Sequence, residues 1–111
     1  MGLTALATEM NARATMLADI KMLSEAMLDD ARAGQWDRLP QNESERQRMV
    51  WSFFAEPLGP FEAELHAEGL SRILEISQEL TRLASEQRSA LADEMDQLRR
   101  GRSAAAAYGS N

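Results

Sequence analysis

The sequence predicts an all-α protein: an antiparallel three-helix bundle with a long third helix and a short C-terminal helical arm. Three observations carry that prediction. Hydrophobic residues form 44% of the 111 residues, and Ala, Leu and Met supply most of them alongside Glu, Arg and Gln, the residues that enter helices at least cost. No β-branched alternating run occurs, and the three prolines cluster at two places where helices would have to begin or end. Apolar residues recur at steps of three and four over long stretches, the spacing of one helical face.

The first helix is expected over about residues 13–33, where Met16, Ile20, Leu23, Met27 and Ala31 form one stripe. Gly34 follows at the position where a left-handed residue closes a helix, with Arg32 beside the last carbonyls. A second helix is expected from about Trp36 to Phe54. Its start has two forms: Trp36 and Asp37 make a separate leading turn, or the helix kinks at Pro40. In "FFAEPLGPF", Pro57 and Pro60 hold Glu56 and Gly59 out of helical geometry and enforce a reversal. Four of the six aromatic residues, Trp51, Phe53, Phe54 and Phe61, gather there and are expected to form a small aromatic core. The third helix is expected over about 70–100, carrying Ile73, Ile76, Leu80, Leu83, Leu91, Met95 and Leu98. Gly69, about 1 kcal/mol worse than alanine in a helix, sets its first turns apart.

Short connections make sequential helices antiparallel. At ~1.5 Å per residue helix 2 would span ~30 Å and helix 3 ~45 Å, so the last ~10 residues of helix 3 overhang the turn at Gly34. Leu83, Leu91, Met95 and Leu98 on and beside that overhang are the candidate partner-binding residues, because nothing in helices 1 and 2 would cover them. Gly101 would break helix 3 and Ser103 would cap a new turn formed by Ala104, Ala105, Ala106, Ala107 and Tyr108. The expected organisation is one domain over 1–111, with a core of about 13–100 and a mobile arm of about 102–111 that folds over the overhang or leaves it open.

Composition excludes several functions. No cysteine is present, so disulfides and thiolate metal sites are out, and a reducing cytoplasm is the expected compartment. No run is long enough to insert in a membrane, and the N-terminal region lacks a basic start followed by an apolar stretch. Net charge is −6 and residues 97–111 contribute +3, so the first 96 carry −9, which argues against nucleic acid. Neither a phosphate loop nor a convergent set of metal-binding carboxylates is legible, and no cofactor or enzymatic activity is expected. His66, in "HAEGL", lacks the lysine that follows the histidine of phosphotransfer domains and is expected on the surface. Of the seven methionines, Met16 and Met27 are expected in the core and Met22 outside it.

Several stretches in fixed order then resemble one family. "ARAGQWDRL" closes the first helix, "ESERQRMV" with Glu43 and Arg46 lies in the second, and the aromatic and proline corner follows. "ILEISQELTRLASEQRSALADEMDQLRRG", with Arg88 and Leu91, forms the third, and the chain closes on "RSAAAAY". Together, from about Ala18 to Tyr108, they resemble the FliT family of flagellar export chaperones; Pro40 and the first ten residues depart from its pattern. The resemblance implies a cytosolic helical protein that binds the C-terminal region of the flagellar filament cap protein, prevents its premature assembly and presents it to the type III export apparatus, with the export ATPase complex or export gate as further partners. It also implies a C-terminal helix that covers or regulates the client surface. Two other readings stay open at this point: a sister chaperone for hook–filament junction proteins, and a non-catalytic scaffold that homodimerises through the overhang.

Overall fold

The computed structural model describes residues 2–109, and all its secondary structure there is helical: α1 is Gly2–Arg32, α2 is Leu39–Phe53 and α3 is Pro60–Gly109. The chain divides into two compact units, one up to Leu80 and one from Thr81 onward.

α1 starts at Gly2, eleven residues before its expected start, because nothing between Gly2 and Gly34 breaks a helix. The early Thr8 and Thr15 turn their hydroxyls back onto the carbonyls of Thr4 and Asn11, at 2.9 Å each, and so satisfy themselves within the helix. Its end is a full Schellman closure. Gly34 adopts φ 75°, the Gln35 N–H donates to the Asp30 carbonyl at 2.8 Å, and the Gly34 N–H donates to Ala31 at 3.1 Å. Arg32 sits in the last turn beside carbonyls left without helical donors.

Of the two forms open for the next helix, the structure takes the leading turn. The Leu39 N–H donates to the Trp36 carbonyl at 3.2 Å, and α2 begins immediately after with Pro40 in its first turn, where the missing N–H costs nothing. Pro57 lies within the next connection and Pro60 closes it. α3 then starts at Pro60, ten residues before the expected start, with Glu62 in the first turn where an acid suits the helix dipole.

Within the first unit the core is Leu17, Ile20, Phe53 and Ile73, with Met49, Val50, Leu58 and Leu70 partly buried against it. Met27, Leu28, Ala31, Ile76 and Leu80 are also buried. Polar contacts tie the three helices together. Arg13 pairs with Glu62 at 3.3 Å and Glu25 with Arg72 at 3.4 Å, so residue numbers rise together along α1 and the start of α3. Arg46 donates to Ser77 at 2.8 Å while Phe53 meets His66, so numbers run oppositely along α2 and α3.

Several sequence expectations are corrected here. Met16 is exposed and Leu17 is buried in its place, one position round the helix, because the face of α1 is chosen by what α2 and α3 present to it. His66 is not on the surface: it is 6% exposed and stands edge-on to the Phe53 ring at 5.9 Å. The expected aromatic core reduces to Phe53, with Phe54 edge-on against it at 4.9 Å, while Trp51, Phe54 and Phe61 are exposed. Gly69 does not interrupt α3. It faces Leu17, and a Cβ placed there would lie 3.0 Å from Leu17 Cδ2, so the missing side chain is what lets α1 and α3 approach.

Candidate functional site

From Thr81 onward α3 runs without a break to Gly109. Gly101 neither ends the helix nor hinges it. The strong helix formers on both sides, "DQLRR" before and "AAAA" after, outweigh the roughly 1 kcal/mol cost of one glycine. Ser103 is therefore an interior helical residue, not a cap. Ala104, Ala105, Ala106, Ala107 and Tyr108 prolong α3 instead of forming a separate arm, and they do not turn back over Leu91, Met95 and Leu98. All of residues 103–108 are exposed.

The four candidate binding residues fall in this part of α3. Leu83 is half-buried, whereas Leu91, Met95 and Leu98 are 48%, 57% and 65% exposed. At 100° per residue the last three lie within about 60° of one another round the helix, a narrow apolar face. Ala105 and Arg102 continue the same face toward the C-terminus. Charged residues flank it: Asp93, Glu94 and Asp96 on the turn before Leu98, and Arg99, Arg100 and Arg102 on the turn after. Of these, Asp96 and Arg99 pair within the helix at 3.7 Å.

The first unit carries a second apolar surface that sequence reasoning missed. A groove of about 310 Å³ is lined by Ile20, Val50, Phe53, Leu70, Ile73 and Leu74, with Phe54 at its wall. Leu70 and Leu74 are one helical turn apart on α3, and Val50 on α2 is one turn before Phe54, the residue that caps that helix. Those spacings are legible in the sequence, but their meeting across two helices is not. Arg46 closes one end. Its guanidinium donates twice to Glu43, both at 2.9 Å, and once to the Ser77 hydroxyl, which itself donates to the Ile73 carbonyl at 2.9 Å. Glu43 and Arg46 thus act as a clamp between α2 and α3: the carboxylate holds the fork flat while its third donor reaches across.

The connection between α2 and α3 is held by α1. Arg13 donates to the carbonyls of Glu56 at 3.0 Å and Pro57 at 3.4 Å, pairs with Glu62, and lies 5.8 Å above the Phe53 ring centre. One half-buried cation thereby satisfies two loop carbonyls that have no helical donor.

Among the described residues no three of His, Asp or Glu come together as a metal site, and no helix is long and apolar enough to cross a membrane. No curated protein and no solved structure matches the chain. A profile of the family described as flagellar protein FliT matches residues 14–110, nearly the whole of the three helices, and the chain therefore belongs to the FliT family of flagellar export chaperones.

Proposed function

We propose that this chain is the export chaperone of the flagellar filament cap protein. It binds the client's C-terminal region in the cytosol, prevents premature assembly and delivers it to the export apparatus through the export ATPase complex or export gate. The single observation that supports this reading is the exposed apolar face of α3 in a chain of this family. Leu91, Met95 and Leu98 stand about half exposed or more in a row, and a contiguous exposed apolar row of this kind suits a partner that covers it. An amphipathic client helix would lay its own apolar face along Leu83, Leu91, Met95 and Leu98, with methionine adapting to irregular partner shape. Opposed numbering along successive helices supports an up-down-up arrangement of the three helices within the first unit.

Ser103, Ala104, Ala105, Ala106, Ala107 and Tyr108 are assigned a regulatory part: in molecules where α3 opens at Gly101 they cover the face that the continuous helix leaves exposed, compete with the client for it, and so lower apparent affinity by the fraction of molecules so covered. The test is calorimetric titration of the full chain, and of a truncation ending at Arg100, with the C-terminal segment of the filament cap protein. Tighter binding by the truncation is expected. Equal binding would remove the regulatory role, and binding of hook–filament junction proteins in place of the cap segment would overturn the client assignment. Replacing Leu91 and Met95 together by serine should weaken client binding by at least ~100-fold, since each buried large apolar side chain contributes about 1.5–3 kcal/mol; titration of that variant checks it.

A further inference from the structure

The N-terminal part of α1 carries an apolar face that client binding along α3 does not use. Among the buried residues of α1, Leu17, Ile20, Ser24, Met27 and Ala31 stand at alternating steps of three and four, the spacing of a seam between packed helices. The same steps continue toward the N-terminus through Arg13 to Met10, Leu6 and Leu3. At 100° per residue the last three fall within about 40° of Leu17, on the side of α1 where Leu17 meets Gly69 of α3. Arg13 pairs with Glu62 in the first turn of α3, so the seam runs on for ~15 Å past the level at which α3 begins. Leu3 and Leu6 are exposed there and Met10 is half-buried. Phe61 and Leu65, both exposed, lie at the foot of this extension. Arg72 stands between them round α3 and reaches Glu25, which turns that side of α3 toward α1.

The surroundings are acidic. Residues 2–13 and 56–68 hold five carboxylates, Glu9, Glu56, Glu62, Glu64 and Glu68, with no lysine and a single arginine, Arg13, which is already paired with Glu62. The other four carboxylates make no ion pair among the described residues.

We propose that the N-terminal end of α1 and the first two turns of α3 dock a basic amphipathic helix of another protein. Continuity with the seam inside the bundle calls for a helix, whose apolar face would lie along Leu3, Leu6 and Met10 and reach Phe61 and Leu65. The acidic rim calls for lysine or arginine on its flanks. A second copy of this chain would set that rim against itself, and an anionic lipid surface would be repelled by it. Residues 2–13 precede the stretch that the family profile matches, so this surface is a feature of the chain's own N-terminal segment. It does not depend on which client α3 takes.

The experiment is fluorescence anisotropy with a labelled synthetic helix of about 14 residues, carrying leucine at alternating steps of three and four and lysine on the flanks, beside its glutamate counterpart. The full chain is used with Leu91→Ser and Met95→Ser in place, which disables the α3 face so that binding reports α1. The lysine peptide should bind at least ~10-fold more tightly than the glutamate peptide at ~10 mM salt, and weaken at ~500 mM. Adding Leu3→Ser with Leu6→Ser should weaken it at least ~10-fold. Glu9→Lys with Glu68→Lys should weaken it by a similar factor through charge alone. Urea midpoints should stay unchanged, because all four residues are exposed and outside the core. A benzophenone on the peptide should cross-link to residues 2–14 and 60–68. Equal binding of the two peptides would overturn the proposal, as would serine substitutions without effect or cross-links confined to α2 or to α3 beyond Leu80. Self-association of the full chain that Leu3→Ser with Leu6→Ser abolishes would overturn it too, by making a second copy the occupant. A client that fails to bind α3 leaves every one of these readouts standing, so the two proposals fail separately.

Discussion

Arg13 is the residue whose removal should most affect the first unit, and its worth can be worked from its contacts. The Arg13→Ala change removes a charge-assisted hydrogen bond to the Glu56 carbonyl at 3.0 Å, which contributes about 1.5–3 kcal/mol. The longer bond to Pro57, at 3.4 Å, adds little. The Glu62 pair at 3.3 Å joins side chains only 13% and 23% exposed, so it is screened less than a surface pair and contributes about 1 kcal/mol. The approach to the Phe53 ring adds about 0.5 kcal/mol. Shared partners make these terms overlap, and the expected loss is roughly 2–4 kcal/mol, a large part of the stability of a small domain. Urea unfolding followed by far-UV circular dichroism measures it, as a shift in midpoint at constant slope. Arg13→Lys should recover the Glu62 pair but not the forked reach to both carbonyls, and so fall between the two. A loss under about 1 kcal/mol for Arg13→Ala would refute the argument, because the loop carbonyls would then be satisfied without it.

Two further predictions concern small residues in helices. Gly101→Ala should stabilise α3 by up to about 1 kcal/mol, since nothing beyond its own stretch of helix lies within 4 Å of the new Cβ; the same substitution at Gly69 should destabilise by about 1 kcal/mol despite better propensity, because Leu17 must move from its packed place. Paired denaturation curves for the two variants check the opposite signs. Ser24 is fully buried in α1, and its hydroxyl has no hydrogen-bond partner among the described residues, so Ser24→Ala should raise stability by about 1–2 kcal/mol in thermal and urea unfolding.

The helices themselves were legible because their causes are local. A run free of glycine and proline, an arginine in the last turn and one glycine at φ 75° end α1 where the sequence says it ends, and Pro57 with Pro60 mark the next reversal. The apolar row of Leu91, Met95 and Leu98 was equally legible, since spacing along one helix is a property of the chain. Where local signals were weak, neighbours decided. Gly69 reads as a break and serves as a contact with Leu17; Gly101 reads as a hinge and is carried through by the residues on either side.

What the sequence determined by itself is therefore the set of helices, their order and the apolar face of α3, all of which follow from propensity, capping and a 3.6-residue period. What only the tertiary structure decided is which side of each helix is inside. Met16 or Leu17 could each continue the stripe of α1, and His66 could lie in or out, because a shift of one position turns a helix by 100° at almost no local cost. The choice falls to packing: Leu17 fits the space Gly69 leaves, His66 meets the edge of Phe53, and Arg13 and Arg46 hold the three helices at those settings. Such contacts join residues dozens of positions apart, and their energies exist only once the helices have met.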